Sequence, residues 1–168
     1  MKSTLFISGF IILWFFVACS TKKDEGLIIS DGTLFNIAVN NTSFTYYKNR
    51  TDTLLSDPSS PHGGYMRVRF NQKAMTVMND SVSRLTSTSF PEGSMVVKEI
   101  YDHPGGPLLE LDIIYKAADA SNSSGGWVWN EMHPDGSIEY SASNKGNECT
   151  SCHHNSDNLD YVRVFFTH

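Results

Sequence analysis

The chain has 168 residues, 40% of them hydrophobic and 12% aromatic, with a net charge of -5. That length points to one domain, long enough to bury a sizeable core. The acidic balance, with no basic stripe, excludes the electrostatic footprint of a nucleic-acid binder.

At the N-terminus Lys2 is followed by an apolar run from Leu5 to Ala18. The run is too short and wrongly flanked for a membrane span and reads as the apolar region of an export signal. It ends Phe16-Val17-Ala18-Cys19-Ser20, which resembles a bacterial lipobox with phenylalanine in place of the usual leucine. That resemblance implies cleavage before Cys19 and lipid attachment to it, and Ser20 resembles the pattern of lipoproteins sent to the outer membrane. The expected division is a signal peptide over 1–18, a lipidated cysteine and flexible tether over 19–30, and a domain over 31–168. The expected location is the periplasmic side of a bacterial membrane, held there through the lipid anchor only. Of three cysteines, lipidation uses Cys19 and leaves Cys149 and Cys152.

From Gly26 onward the pattern is mostly strands. Thr42–Tyr47 is β-branched and aromatic, and 51–64 is a loop rich in Ser, Asp, Pro and Gly. Met66–Phe70 alternates as a half-buried strand. Asn71 caps a short helix carrying Ala74, Met75 and Met78. Turns at 91–93 and 103–107 bound a strand over Met95–Tyr101. Leu108–Tyr115 is the clearest strand, with Leu109, Leu111, Ile113 and Tyr115 on one face. A loop over 121–126 precedes the strand Trp127-Val128-Trp129, and a turn over 134–136 leads into Ile138–Tyr140. A short helix carries Cys149 to His153, and Tyr161–Phe166 closes the chain as a strand. Short turns between strands imply α+β: an antiparallel β-sheet with a few short helices.

Cys149-Thr-Ser-Cys152-His153 is a C-x-x-C-H pentapeptide, the attachment signature of one covalent c-type haem. The two thiols add across the vinyl groups and His153 becomes the axial metal ligand. A thioredoxin-like pair expects a βαβ setting that is absent here. Cys149, Cys152, His153 and His154 lie too close together to wrap one tetrahedral zinc, and a disulfide closing so short a loop stabilises little. The motif sits near the C-terminus with no methionine after it. His154 is poorly placed for the opposite haem face, and His168 is terminal. A sixth ligand therefore comes from His62, Met66, Met75, Met78, Met95, His103, Met132 or His133, or the site is open. An open site serves ligand binding or catalysis; a filled one serves electron transfer.

Three stretches besides the pentapeptide carry a family resemblance: Phe90-Pro-Glu-Gly-Ser-Met-Val-Val-Lys98-Glu99, the strand at Trp127, and Asp160-Tyr-Val-Arg-Val-Phe165. In order and spacing, over roughly 60–168, the chain resembles the cytochrome P-460 family, which includes the cytochrome c′-beta proteins. The resemblance implies a mono-haem domain with an open distal site. Its P-460 members cross-link a lysine to the haem ring and oxidise hydroxylamine; its c′-beta members bind nitric oxide in an apolar pocket. Lys98 stands where the cross-linking lysine is found. It shares a strand face with Val96 and Ile100, where a lysine is costly unless it snorkels, pairs or has a use. Asp112 falls close to the family's distal glutamate, and Glu110 shares its face; a carboxylate in such a pocket has a raised pKa and can shuttle protons. Arg67 resembles a pocket arginine. His62 is a candidate distal group, while Phe70 and Phe90 read as core rather than as a cap on the iron.

The leading expectation is an exported haem protein acting on small nitrogen species, with hydroxylamine oxidation as the reaction and an electron-transfer partner. A nitric oxide binding module without turnover and a six-coordinate electron-transfer cytochrome remain as alternatives, so enzyme status stays open. The resemblance also leaves a homodimer open.

Overall fold

The computed structural model describes residues 26–58, 60–155 and 158–168, with the side chains of 166 and 167 left aside. The expected signal peptide and Cys19 lie outside the described residues. Seven strands form one antiparallel sheet among them: β1 (Thr45–Tyr46), β2 (Leu54–Leu55), β3 (Tyr65–Phe70), β4 (Met95–Tyr101), β5 (Leu108–Lys116), β6 (Trp127–Met132) and β7 (Ile138–Tyr140). Their order is β1-β3-β4-β5-β6-β7, with β2 also pairing β3. The helices are α1 (Asp31–Asn40), α2 (Gln72–Met75), α3 (Thr150–His153) and α4 (Val164–Thr167). The α+β architecture is the expected one.

Alternation along the strands sorts the side chains onto two faces. One face presents Met95, Val97, Leu111, Ile113 and Val128, and α1 closes it with Leu34 and Ala38. The other presents Phe70, Val96, Trp127 and Trp129, packed by Phe90, Val162 and Val164. Phe70 and Phe90 stack at 6.1 Å between ring centroids and Phe90 meets Trp127 edge-on at 5.7 Å, so both phenylalanines are core, as read.

Helix α1 was not expected. Its sequence DGTLFNIAVN is poor in strong helix formers, but Ser30 caps it by accepting from the Thr33 amide at 3.2 Å. Asp31 ties its first turn to the far end of the chain, accepting from the Ala142 amide at 2.6 Å and from Asn130 at 2.8 Å. Leu34 is fully buried under the sheet. Leu34→Ala is expected to lower unfolding stability by about 2–5 kcal/mol in urea denaturation, while leaving the C-x-x-C-H segment undisturbed, because α1 lies on the opposite face of the sheet. An unchanged midpoint would mean that α1 is not docked.

Five further expectations need correction. The tether does not run to residue 30: the Ser121 amide donates to the Leu27 carbonyl at 2.9 Å, and Ile29 exchanges hydrogen bonds with Asn122. The strand expected over 42–47 shrinks to Thr45–Tyr46, and the 51–64 loop contains β2. Leu109 is 43% exposed rather than on the apolar face, because a register shift pairs Ile100 with Glu110 but Tyr101 with Leu108, which skips it. The closing strand is instead a turn with a Leu159–Val162 bridge followed by α4. Asp160 (φ 47°) and Tyr161 (φ 69°) are both left-handed, which breaks an extended run before it starts.

Candidate haem site

The strand register sets a polar row across the otherwise apolar second face: Lys98 on β4 pairs with Asp112 on β5, and Asp112 with Glu131 on β6. Glu110, two residues before Asp112, falls on the same face. Below this row, Val96, Ile114 and Trp129 continue the sheet toward α3. Gly146 (φ 61°) leads into α3, and a Cβ there would lie 2.3 Å from Trp129 Cδ1. Only glycine lets the haem segment approach β6 so closely. Between the sheet, the 56–64 loop and α3 lies a cavity of about 610 Å³, within the range of roughly 300–1,000 Å³ found for organic ligand sites.

Cys149, Cys152 and His153 all line this cavity, together with Lys98, Asp112 and Glu131. Both cysteines are free thiols, Cys149 half-buried and Cys152 exposed. Burial pushes the Cys149 thiol up to about 12, which keeps it protonated. The ring of His153 stands edge-on to Trp129 at 5.1 Å, and its Nδ1 lies 2.7 Å from the Tyr161 carbonyl. A carbonyl only accepts, so Nδ1 carries the proton and Nε2 keeps its lone pair for a metal. Burial also lowers the His153 pKa, favouring the neutral imidazole. Two thiols and a neutral imidazole with one free nitrogen, set along one wall of a cavity of this size, fit a covalently held haem.

Four side chains converge on the opposite part of the cavity: one donor atom each from His62, Glu110, Asp112 and Glu131 lies within 4.8 Å of the others. His62 Nδ1 is 3.2 Å from Asp112 Oδ2, and Lys98 Nζ is 3.6 Å from the same oxygen. Neither Asp112 oxygen meets water or an aligned donor. Burial raises its pKa well above the carboxylate range against the pull of Lys98. Burial likewise lowers the Lys98 ammonium, while Asp112 acts to raise it. Loss of water takes Glu131 up to about 7, Glu110 adding to it, and takes His62 down to about 4. Like charges placed opposite one another, as Asp112 and Glu131 are, resist joint ionisation.

Glu131 was not singled out from sequence. It follows Trp129 by two residues, so alternation on β6 was the available signal. A folded-state pKa above the ordinary glutamate value of 4.5 means that its stability contribution is whole below pH 4.5 and is lost as pH rises through about 7. Glu131→Gln is therefore expected to be more stable than the parent above pH 7, by up to about 3 kcal/mol, and equal to it below pH 4.5. Urea midpoints of the haem-free chain across that window test this; parallel curves would place Glu131 in water.

The other expectations divide. Of the sixth-ligand candidates, His62, Met66 and His133 line the cavity; Met75, Met78, Met95, His103 and Met132 do not. Arg67 needs correction: it projects from the far face of β3, donating to the buried Glu99 carboxylate at 2.7 Å and to Tyr101, rather than into the cavity. Alternation puts it there, since Met66 and Val68 on either side of it face the cavity.

A family model described as Cytochrome P460 matches residues 43–164, most of the chain. No curated protein matches it.

Proposed function

Because the chain belongs to the cytochrome P460 family, and so is a c-type haem protein, we propose that it holds one haem covalently and oxidises a small nitrogen compound of the hydroxylamine type. Cys149 and Cys152 would hold the haem through thioethers, and His153 Nε2 would ligate its iron. What supports the reaction is the polar row Lys98–Asp112–Glu131 lining the same cavity as the attachment residues. A site built only to hold nitric oxide has no use for buried carboxylates with raised pKa values.

When bound, the haem supplies an iron able to take a nitrogen ligand and its electrons. Each electron removed from hydroxylamine releases a proton, and the electrons leave to an external acceptor protein. The protons need a base that is out of bulk water and has a pKa close to working pH. Glu131, raised by burial to about 7, is such a group, and Asp112, which burial holds well above the ordinary carboxylate value, lies opposite it on β5. Glu110 lies beside them at the cavity wall. Lys98, with its ammonium destabilised by burial, presents an amine that can bond to the haem ring. That bond would replace an N–H and a ring C–H, its two protons going to the carboxylates and its two electrons to dioxygen or a peroxide. The same reading keeps the exported, lipid-anchored location through Cys19, on the periplasmic side of the outer membrane.

The test is expression in a host that matures c-type cytochromes, with absorption spectra before and after dithionite. A strongly red-shifted ferrous Soret band that reverts to an ordinary c-type band in Lys98→Ala is the expected result. An ordinary spectrum in the parent would overturn the cross-link. A six-coordinate low-spin spectrum would favour the electron carrier, with His62 or Met66 as the ligand.

A further inference from the structure

Away from the carboxylate row, the described residues hold a buried ion pair that the proposed chemistry does not use. Lys116 Nζ, at the end of β5, donates to Asp160 Oδ1 at 2.7 Å and Oδ2 at 3.0 Å, with side chains 12% and 8% exposed. The Phe90 amide donates to Asp160 Oδ2 at 2.7 Å, and the Trp127 indole N–H to Oδ1 at 3.2 Å. Donors from β5, β6 and the segment before β4 thus converge on one carboxylate in the haem segment. No charge need remains to be met there, so the question is what the carboxylate holds in place.

The next residue answers it. The Tyr161 carbonyl is the acceptor for His153 Nδ1 at 2.7 Å. Asp160 and Tyr161 both sit at positive φ, 47° and 69°. Residues other than glycine rarely adopt that conformation, and two in succession persist only where the surroundings over-determine them. The Tyr161 ring is held as well: a Cβ on Gly125 would lie 2.3 Å from its Cζ, and Trp129 packs against it at 5.9 Å. The side chain of Asp160 anchors the strained turn to the sheet, and the turn aims the carbonyl at the imidazole.

We propose that Asp160, clamped by Lys116, Trp127 and the Phe90 amide, is a positioning residue that fixes the Tyr161 carbonyl on His153 Nδ1 and thereby sets the donor strength of His153 toward iron. This rests on His153 being the axial ligand. A firm Nδ1–H hydrogen bond makes the imidazole a stronger donor and favours the oxidised metal. Releasing the turn weakens that bond.

The experiment uses Asp160→Asn and the pair Lys116→Met with Asp160→Asn, the second removing both charges so that neither is stranded in the interior. In the haem-loaded protein, resonance Raman gives the ferrous iron–histidine stretching frequency and redox titration gives the reduction potential. In the haem-free chain, nitrogen NMR gives the His153 tautomer. The frequency is expected to fall, the potential to rise, and the Nδ1–H tautomer to lose its dominance. Unchanged frequency and potential in the haem-loaded paired variant, or an unchanged tautomer in its folded haem-free chain, would overturn the proposal. A parent chain that takes up no covalent haem would instead overturn the haem reading of His153, and the NMR comparison would still judge the clamp.

Discussion

Replacing Cys149 and Cys152 together by serine is expected to give a chain with no haem on a haem-stained denaturing gel, where the parent stains strongly. A hydroxyl does not add to a vinyl group as a thiol does, so both thioethers vanish. The fold should survive, because Cys152 is exposed and Cys149 is only half-buried, and because neither is among the buried residues of the two cores, Cys149 packing only against the edge of one. Each single variant keeps one thioether and should still stain. His153→Ala leaves the thiols but removes the axial nitrogen, so its haem should stay bound with a changed spectrum. Haem persisting on the denatured double-serine chain would move the attachment away from the thiols.

Asp112→Asn should lower hydroxylamine oxidation by about 10²–10⁴-fold, the usual worth of a positioned acid–base group, at unchanged haem content. The amide keeps the shape of the carboxyl and its contact with Lys98, so what it removes is proton uptake. Glu131 carries a different signature. With its pKa pushed up to about 7, it takes protons only above that value, so the rate should climb with pH around neutrality, and that limb should vanish in Glu131→Gln. If Asp112→Asn turns over at the parental rate while Glu131→Gln does not, the base is Glu131. If both keep the parental rate and profile, the protons leave by water alone and the carboxylate row is not catalytic.

Much of the site was legible because its signals are local. The C-x-x-C-H pentapeptide is contiguous, and its late position with no following methionine already argued against a simple electron carrier. Lys98 stood out because a charged residue on a strand face shared with Val96 and Ile100 needs a reason. Period-two alternation located β3 to β5 to within a residue and found the start of β6, whose last three residues it missed. The failures came where tertiary contacts override local preference. Helix α1 has weak propensity and is held by Asp31 reaching residues 130 and 142. The alternating Tyr161–Phe166 run reads as a strand, yet two left-handed residues and the burial of Val162 and Val164 turn it into the core. Arg67 went to the wrong face because likeness to a motif carries no parity, whereas the strand does.

By itself, then, the sequence determined what travels with short stretches of chain: the C-x-x-C-H pentapeptide, most of the antiparallel strands and the family. Only the tertiary structure decided which charges meet. The row of Lys98, Asp112 and Glu131 depends on strand register, and the clamp on Asp160 depends on three elements arriving at one carboxylate. Both are matters of residues far apart in sequence losing water together, and that loss, which shifts the pKa values of the row, exists only once the sheet has closed over the cavity.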